Sequence, residues 1–99
     1  MIYQEFAKVI SNRLIAENIY ETYLYSPHIS QACKPGQFID ILPSNDWNQV
    51  MRRPMSIAGS ENNKIKLLYK IIGDGTYEIT KWLKGDLIDI IGPLGNNWG

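Results

Sequence analysis

The sequence predicts an all-β protein: a six-stranded antiparallel barrel with one short helix, formed as a single domain over residues 1–99. Three observations point to it. Short stretches rich in β-branched and aromatic residues recur along the chain, separated by Pro, Gly, Asn and Ser turn signals. One stretch, around Ile79, instead spaces its apolar residues as a helix does. Finally, 99 residues can build one modest core but not two, and six short strands around one core suggest a small barrel, where sheet closure removes exposed edges.

In chain order, residues 3–14 form the first predicted strand: Phe6-Ala7-Lys8-Val9-Ile10 alternates imperfectly, and Ser11-Asn12 is placed to bend its end. The second, Ile19-Tyr20-Glu21-Thr22-Tyr23-Leu24-Tyr25, puts Tyr20, Thr22 and Leu24 on one side and is stopped by Ser26-Pro27. Pro35-Gly36 signals a turn into a third strand, Gln37-Phe38-Ile39-Asp40-Ile41-Leu42, which Pro43 ends by removing a ladder donor. Residues 44–49, polar apart from Trp47, read as a surface loop. In the fourth strand Pro54 suits the start or an edge position, residues 55–58 form the body, and the chain turns through Gly59-Ser60-Glu61-Asn62-Asn63. The fifth, residues 64–72, is the clearest, with Ile65, Leu67, Tyr69 and Ile71 on one face and Lys64, Lys66, Leu68 and Lys70 on the other. Thr76 then reads as a helix N-cap, with Ile79, Trp82 and Leu83 as an apolar stripe, Lys81 and Lys84 in the last turn, and Gly85 just past it. Leu87-Ile88-Asp89-Ile90-Ile91 is the last strand, closed by a turn at Gly92-Pro93-Leu94-Gly95-Asn96.

Two stretches carry chemistry. Arg52-Arg53-Pro54-Met55-Ser56-Ile57 sets a planar fork of donors, suited to paired phosphate oxygens, beside a residue of fixed φ and a hydroxyl. Leu68-Tyr69-Lys70-Ile71-Ile72-Gly73-Asp74-Gly75-Thr76 is an apolar strand breaking into a glycine turn that starts a helix, where free N–H groups and the positive dipole end attract an anion. Together they read as a phosphate grip beside an apolar shelf, the signature of a nucleotide cofactor.

Composition narrows the alternatives. Lys plus Arg and Asp plus Glu both number 10, so a general polyanion-binding surface is not expected, whereas a local phosphate site is. Cys33 is the only cysteine, which excludes an intrachain disulfide and a thiolate cluster for zinc or iron–sulfur built from this chain. No apolar run approaches the ~20 residues of a membrane helix, and the start lacks the regions of a signal peptide. The expectation is a soluble cytoplasmic protein with no membrane attachment.

Several residues resemble a known family. Arg53-Pro54-Met55-Ser56, Leu68-Tyr69-Lys70-Ile71, Gly73-Asp74-Gly75-Thr76, and the run from Gly85-Asp86-Leu87 through Gly92-Pro93-Leu94-Gly95-Asn96 resemble the electron-transfer subunits of dihydroorotate dehydrogenase, whose flavin domain is ferredoxin-reductase-like. The likeness includes Val9-Ile10-Ser11-Asn12-Arg13 and Pro35-Gly36-Gln37-Phe38, and so covers nearly the whole chain. It implies a six-stranded antiparallel Greek-key barrel binding FAD. By resemblance, Arg53 pairs with the pyrophosphate and Ser56 lies beside the flavin ring. Tyr69, Lys70 and Ile71 belong to the strand along the flavin and ribityl chain, and Gly75 and Thr76 to the helix-start amides that hold phosphate. Pro54 and Met55 complete the cofactor-binding set; Met55 replaces the aromatic residue of the wider group with a thioether contact.

The resemblance further implies a continuation into an NAD-binding domain and a four-cysteine [2Fe-2S] segment, both missing here. The expectation is a chain truncated before them. It also implies a catalytic dihydroorotate dehydrogenase subunit as partner, NAD(H) acting through the missing domain, and a role in pyrimidine biosynthesis, the fragment by itself not being catalytic. Gly73-x-Gly75 follows an antiparallel strand and lacks the third glycine, so it is no Rossmann fingerprint.

Plainer readings stand beside these. Arg52 reads as solvated, Tyr69 as a core side chain contacting the flavin through its backbone, Trp82 as core, His28 as non-catalytic and Cys33 as an inert thiol. Trp98 is expected to lie against the missing domain or to dangle. The rival function is a small barrel that stacks single-stranded nucleic acid on exposed Tyr and Lys, or an assembly module without cofactor.

Overall fold

The computed structural model describes residues 1–44 and 52–95. Six strands, β1 (Tyr3–Ala16), β2 (Ile19–Tyr25), β3 (Phe38–Ile41), β4 (Arg53–Glu61), β5 (Lys64–Lys70) and β6 (Leu87–Leu94), close into a barrel in the order β1-β2-β5-β4-β3-β6, all neighbours antiparallel. The sequence expectation of a six-stranded antiparallel barrel holds. The loop read over residues 44–49, with Trp47, lies almost wholly outside the described residues, as does Trp98.

Alternation builds the core. Ala7 and Val9 of β1, Ile39 and Ile41 of β3, Ile65, Leu67 and Tyr69 of β5, and Ile88 and Ile90 of β6 are buried, while their strand neighbours face outward. The imperfect alternation of β1 has a structural cause. A bulge between Val9 and Ser11 sets two residues against one of β2, and afterwards Asn12 pairs with buried Thr22. Ser11-Asn12 therefore does not end the strand, which continues to Ala16 and a turn where Asn18 takes φ 58°.

The expectation of one helix is corrected: α1 (Pro27–Ala32) precedes α2 (Asp74–Ile79). Pro27 stops β2 and also starts α1, since its fixed φ suits a first helical turn. Its cap comes from far away in the chain. Glu5 of β1 accepts the Ser26 hydroxyl and the amides of Ile29 (3.0 Å) and His28 (3.4 Å), which local sequence does not reveal. Tyr3 stacks on His28 at 5.2 Å.

Three further boundaries differ. The β4–β5 hairpin is tighter than expected, because Asn62 and Asn63 (φ 52° and 65°) form the whole turn and leave residues 59–61 in β4. β6 runs through Gly92-Pro93 instead of turning there, with Gly92 buried against Ile39. β5 ends at Lys70, releasing Ile71 and Ile72 from the predicted strand.

In α2 the cap is Gly73, and Thr76 is the third helical residue rather than the N-cap. The helix ends at Ile79, after which Lys81 N–H donates to Glu78 O and Trp82 N–H to Ile79 O, both 3.1 Å, in tighter turns. Lys81, Lys84 and Gly85 therefore lie beyond the helix. Gly85 (φ 95°) instead serves the turn into β6, its N–H donating to Val9 O at 2.8 Å. Ile79 and Trp82 are buried as the stripe requires, but Leu83 is 70% exposed and leaves it.

Candidate functional site

The barrel closes incompletely along one seam. β4 pairs with β3 from Arg53↔Ile41 to Ser56↔Phe38, but with β5 only from Ile57↔Leu67 onward. The first half of β4 and the second half of β5 thus diverge. Main-chain groups alternate in direction along a strand. Ile57 N–H turns toward β3, donating to Gln37 O at 3.2 Å, so the main-chain groups of Ser56 face the seam. Position 54 faces it too, and a proline is tolerated there because no ladder partner requires its N–H. On the opposite bank Ile71 N–H donates to Asn18 O (3.0 Å), which turns the main chain of Lys70 to the seam.

At the mouth of this seam lies a cleft of about 300 Å³, lined by Arg53, Pro54 and Met55 from β4 and by Ile72, Gly73 and Thr76 from the chain entering α2. The arrangement joins a cation, an apolar floor and a helix start. Arg53 is exposed and makes no ion pair among the described residues. Met55 is 6% exposed and belongs to the core. Thr76 folds its hydroxyl back on the turn, accepting from the amides of Ile72 (2.9 Å) and Gly73 (3.1 Å) and donating to Gly73 O (3.0 Å). That hydroxyl shapes the turn. The first intrahelical bond runs from Tyr77 N–H to Gly73 O, so the amides of Asp74, Gly75 and Thr76 have no intrahelical acceptor.

Of the residues the sequence nominated, Arg53, Pro54, Met55 and Thr76 meet in the cleft, with Gly75 in the adjoining helical turn. Ser56, Lys70, Ile71 and Tyr69 do not line it. Ser56 and Lys70 are exposed beside the seam, and Ile71 is half-buried. Tyr69 turns inward, at 6% exposure, and stacks on Tyr20 with ring centroids 5.7 Å apart. Its hydroxyl donates to Asn12 Oδ1 at 3.0 Å, and burial pushes its pKa up to about 12. Ile72 was missed as a site residue because it reads as the end of a strand; once β5 stops at Lys70, it joins Gly73, which the sequence had placed in the anion-binding turn, at the cleft wall.

Arg52, read as solvated, is instead held by β6. Its Nη2 lies 2.9 Å from Asp89 Oδ1 and its Nη1 donates to Asp89 O at 3.2 Å. Cys33 is half-buried, its thiol donating to Ser30 O at 3.5 Å. No group of metal-ligating side chains occurs among the described residues.

Asn12 is a second residue that sequence reading passed over. Its Oδ1 accepts from Thr22 Oγ1 (2.6 Å) as well as from Tyr69, and its Nδ2 donates to the carbonyls of Ile79 (2.8 Å) and Trp82 (3.2 Å). Trp82 in turn donates its indole N–H to Pro43 O at 2.9 Å.

A more voluminous hollow, about 520 Å³, lies at the other end of the β4–β5 hairpin, among Tyr23, Glu61, Lys64 and Lys66. It is lined by Ile10 too, but holds no guanidinium and no helix start. The smaller cleft is the candidate because a guanidinium, an apolar floor and a helix start converge in it.

No family model matches the chain. It is 36% identical over 92 residues to the dihydroorotate dehydrogenase B (NAD(+)) electron transfer subunit of Bacillus mycoides, covering 91% of this chain and 36% of that protein. To the same subunit of Lysinibacillus sphaericus it is 35% identical over 100 residues, covering 99% and 38%. The chain thus spans little more than a third of the curated relatives' length. Among solved structures, the NADH-dependent reduced ferredoxin-NADP oxidoreductase, described for flavin-based electron bifurcation, matches with a TM-score of 0.85 at 28% identity, over 95% of this chain and 34% of that one. Ferredoxin-NADP+ reductase from Plasmodium falciparum shares the fold, with a TM-score of 0.74 at 21% identity, over 97% and 41%. No helix among the described residues is long and apolar enough to cross a membrane. In sequence the chain is similar to about a third of the electron transfer subunit of dihydroorotate dehydrogenase B, and in fold it is a ferredoxin-reductase-like barrel.

Proposed function

We propose that the barrel binds FAD at the seam between β4 and β5, as the flavin domain of an NAD-linked dihydroorotate dehydrogenase electron-transfer subunit. The observation that carries this is the convergence of Arg53, Met55 and the start of α2 on one cleft. The residues fit the group. Arg53 and the amides of Gly75 and Thr76 supply donors for a diphosphate, and Pro54, Met55 and Ile72 supply apolar surface. At Gly73 an added Cβ would meet nothing within 4 Å, so the main chain there is open to a ligand. A cleft of about 300 Å³ is small for a whole dinucleotide, and the seam extends it along Ser56 and Lys70, whose main-chain groups face it and offer donors and acceptors to a polar ring edge, between the neighbouring Tyr69 and Ile71.

The flavin would supply the interconversion of two-electron and one-electron transfer; the protein's part is to bind it, orient it and shield it from water. In the full-length protein we place the [2Fe-2S] cluster and the NAD(H) contacts outside this chain, whose single cysteine, Cys33, cannot ligate a cluster alone. The partner is then the catalytic dihydroorotate dehydrogenase subunit, in the cytoplasm, with electrons passing from dihydroorotate to NAD and no nucleic acid involved.

Titration of the purified chain with FAD, followed by quenching of flavin fluorescence, tests the reading. Binding that is weak but saturable, and weaker in Arg53→Ala, is expected; fluorescence matching free FAD at millimolar protein overturns it. NADH oxidation by the chain with FAD is expected to equal a free-FAD control.

A further inference from the structure

We infer that Asn12 is the positioning residue of the cleft, fastening α2 to the barrel so that Gly73 and Thr76 are held opposite Arg53. This rests on the reading of the cleft as a flavin site. α2 is six residues long, too short to persist by itself in water, and its ordering must come from what grips it. Ile79 supplies an apolar anchor. Asn12 supplies the polar one, by donating to Ile79 O and Trp82 O, carbonyls at and just past the helix end.

The amide is used on both sides. Carbonyl oxygens only accept, so the nitrogen of Asn12 must face α2 and its oxygen the hydroxyls of Thr22 and Tyr69. Two donors and two lone pairs are thereby all engaged. One side chain of β1 joins β2, β5 and the helix end, and Thr76 lies one turn upstream of Ile79, roughly 4.5 Å along the axis. A shift of the helix end displaces the cleft wall by a comparable amount.

The two sides of the amide can be tested separately. Asn12→Asp keeps the shape and the acceptors for Thr22 and Tyr69 but loses both donors to α2. Asn12→Leu removes both sides and serves if the carboxylate prevents folding. Thr22→Val removes one barrel-side donor only. Hydrogen exchange at the amides of Tyr77, Thr80, Lys81 and Trp82, which donate within the α2 region, reports helix attachment without any cofactor.

In Asn12→Asp and Asn12→Leu these amides are expected to lose protection at least tenfold while strand amides keep theirs, and FAD affinity is expected to fall at least tenfold. Thr22→Val is expected to lower the melting temperature yet leave α2 protection and FAD affinity at wild-type values. Wild-type α2 protection in both Asn12 variants overturns the inference, as does a loosened helix with unchanged FAD affinity, or an equal loss in Thr22→Val. If the wild-type chain binds no FAD, the flavin reading and the positioning role toward it both fail, and the exchange data then decide only whether Asn12 tethers α2.

Discussion

Arg52 and Asp89 form an ion pair across the barrel wall, with 2.9 Å between Nη2 and Oδ1, tying the entry of β4 to β6 past the intervening strand β3. Asp89 also accepts from Gln4 at 2.9 Å, so the carboxylate joins three segments. The neighbouring guanidinium of Arg53 is left exposed at the cleft. One arginine is structural and the next is available to a ligand.

Substitution should separate the two. Arg52→Ala is expected to cost about 1 kcal/mol of stability, as partly exposed pairs do, with FAD affinity unchanged. Arg53→Ala should leave the melting temperature within a degree or two and weaken FAD binding by about 2 kcal/mol, the loss of a charge-assisted contact. Thermal melts and flavin titrations of both variants check this; equal effects on affinity would show that the assignment to Arg53 is wrong.

Gly73 offers a substitution that alters the cleft without disturbing the fold. Its φ of 178° is extended backbone open to any residue, and a Cβ would meet no atom within 4 Å. Gly73→Val should therefore fold with a near-wild-type melting temperature while its side chain fills the cleft, and FAD affinity should drop tenfold or more.

Gly92 is the opposite case. A Cβ there would lie 2.8 Å from Ile39 Cγ2 and 3.3 Å from Phe38 O, one of them main chain that cannot swing aside. Gly92→Ala should destabilise the barrel by about 1–3 kcal/mol, the cost of overpacking, measurable as a lower midpoint in urea.

Tyr69 makes stability fall at high pH. Its phenol ionises near 10 when unfolded and at about 12 when folded, because burial above all, and the neighbouring Tyr20, disfavour the anion. The contribution is fully present below pH 10 and is lost as pH rises toward 12, up to on the order of 2–3 kcal/mol. Urea midpoints between pH 8 and 11 should decline less in Tyr69→Phe than in wild type; parallel declines would remove Tyr69 from the account.

By itself, the sequence determined the barrel and half of the cleft. Strand periodicity is a local property, so Ile65, Leu67 and Tyr69 declared their inward face, Pro54 marked a strand position that needs no ladder partner, and the glycines near 75 marked where the chain turns into a helix. The rest came from contacts between residues distant in the chain, which no local pattern records. α1 exists because Glu5, more than twenty residues upstream, caps it; Arg52 is occupied because β6 brings Asp89 beside it; and Asn12 faces α2 because a bulge sets its register. The cleft itself is a divergence between β4 and β5, and divergence belongs to a pair of strands, so neither strand's residues could announce it alone.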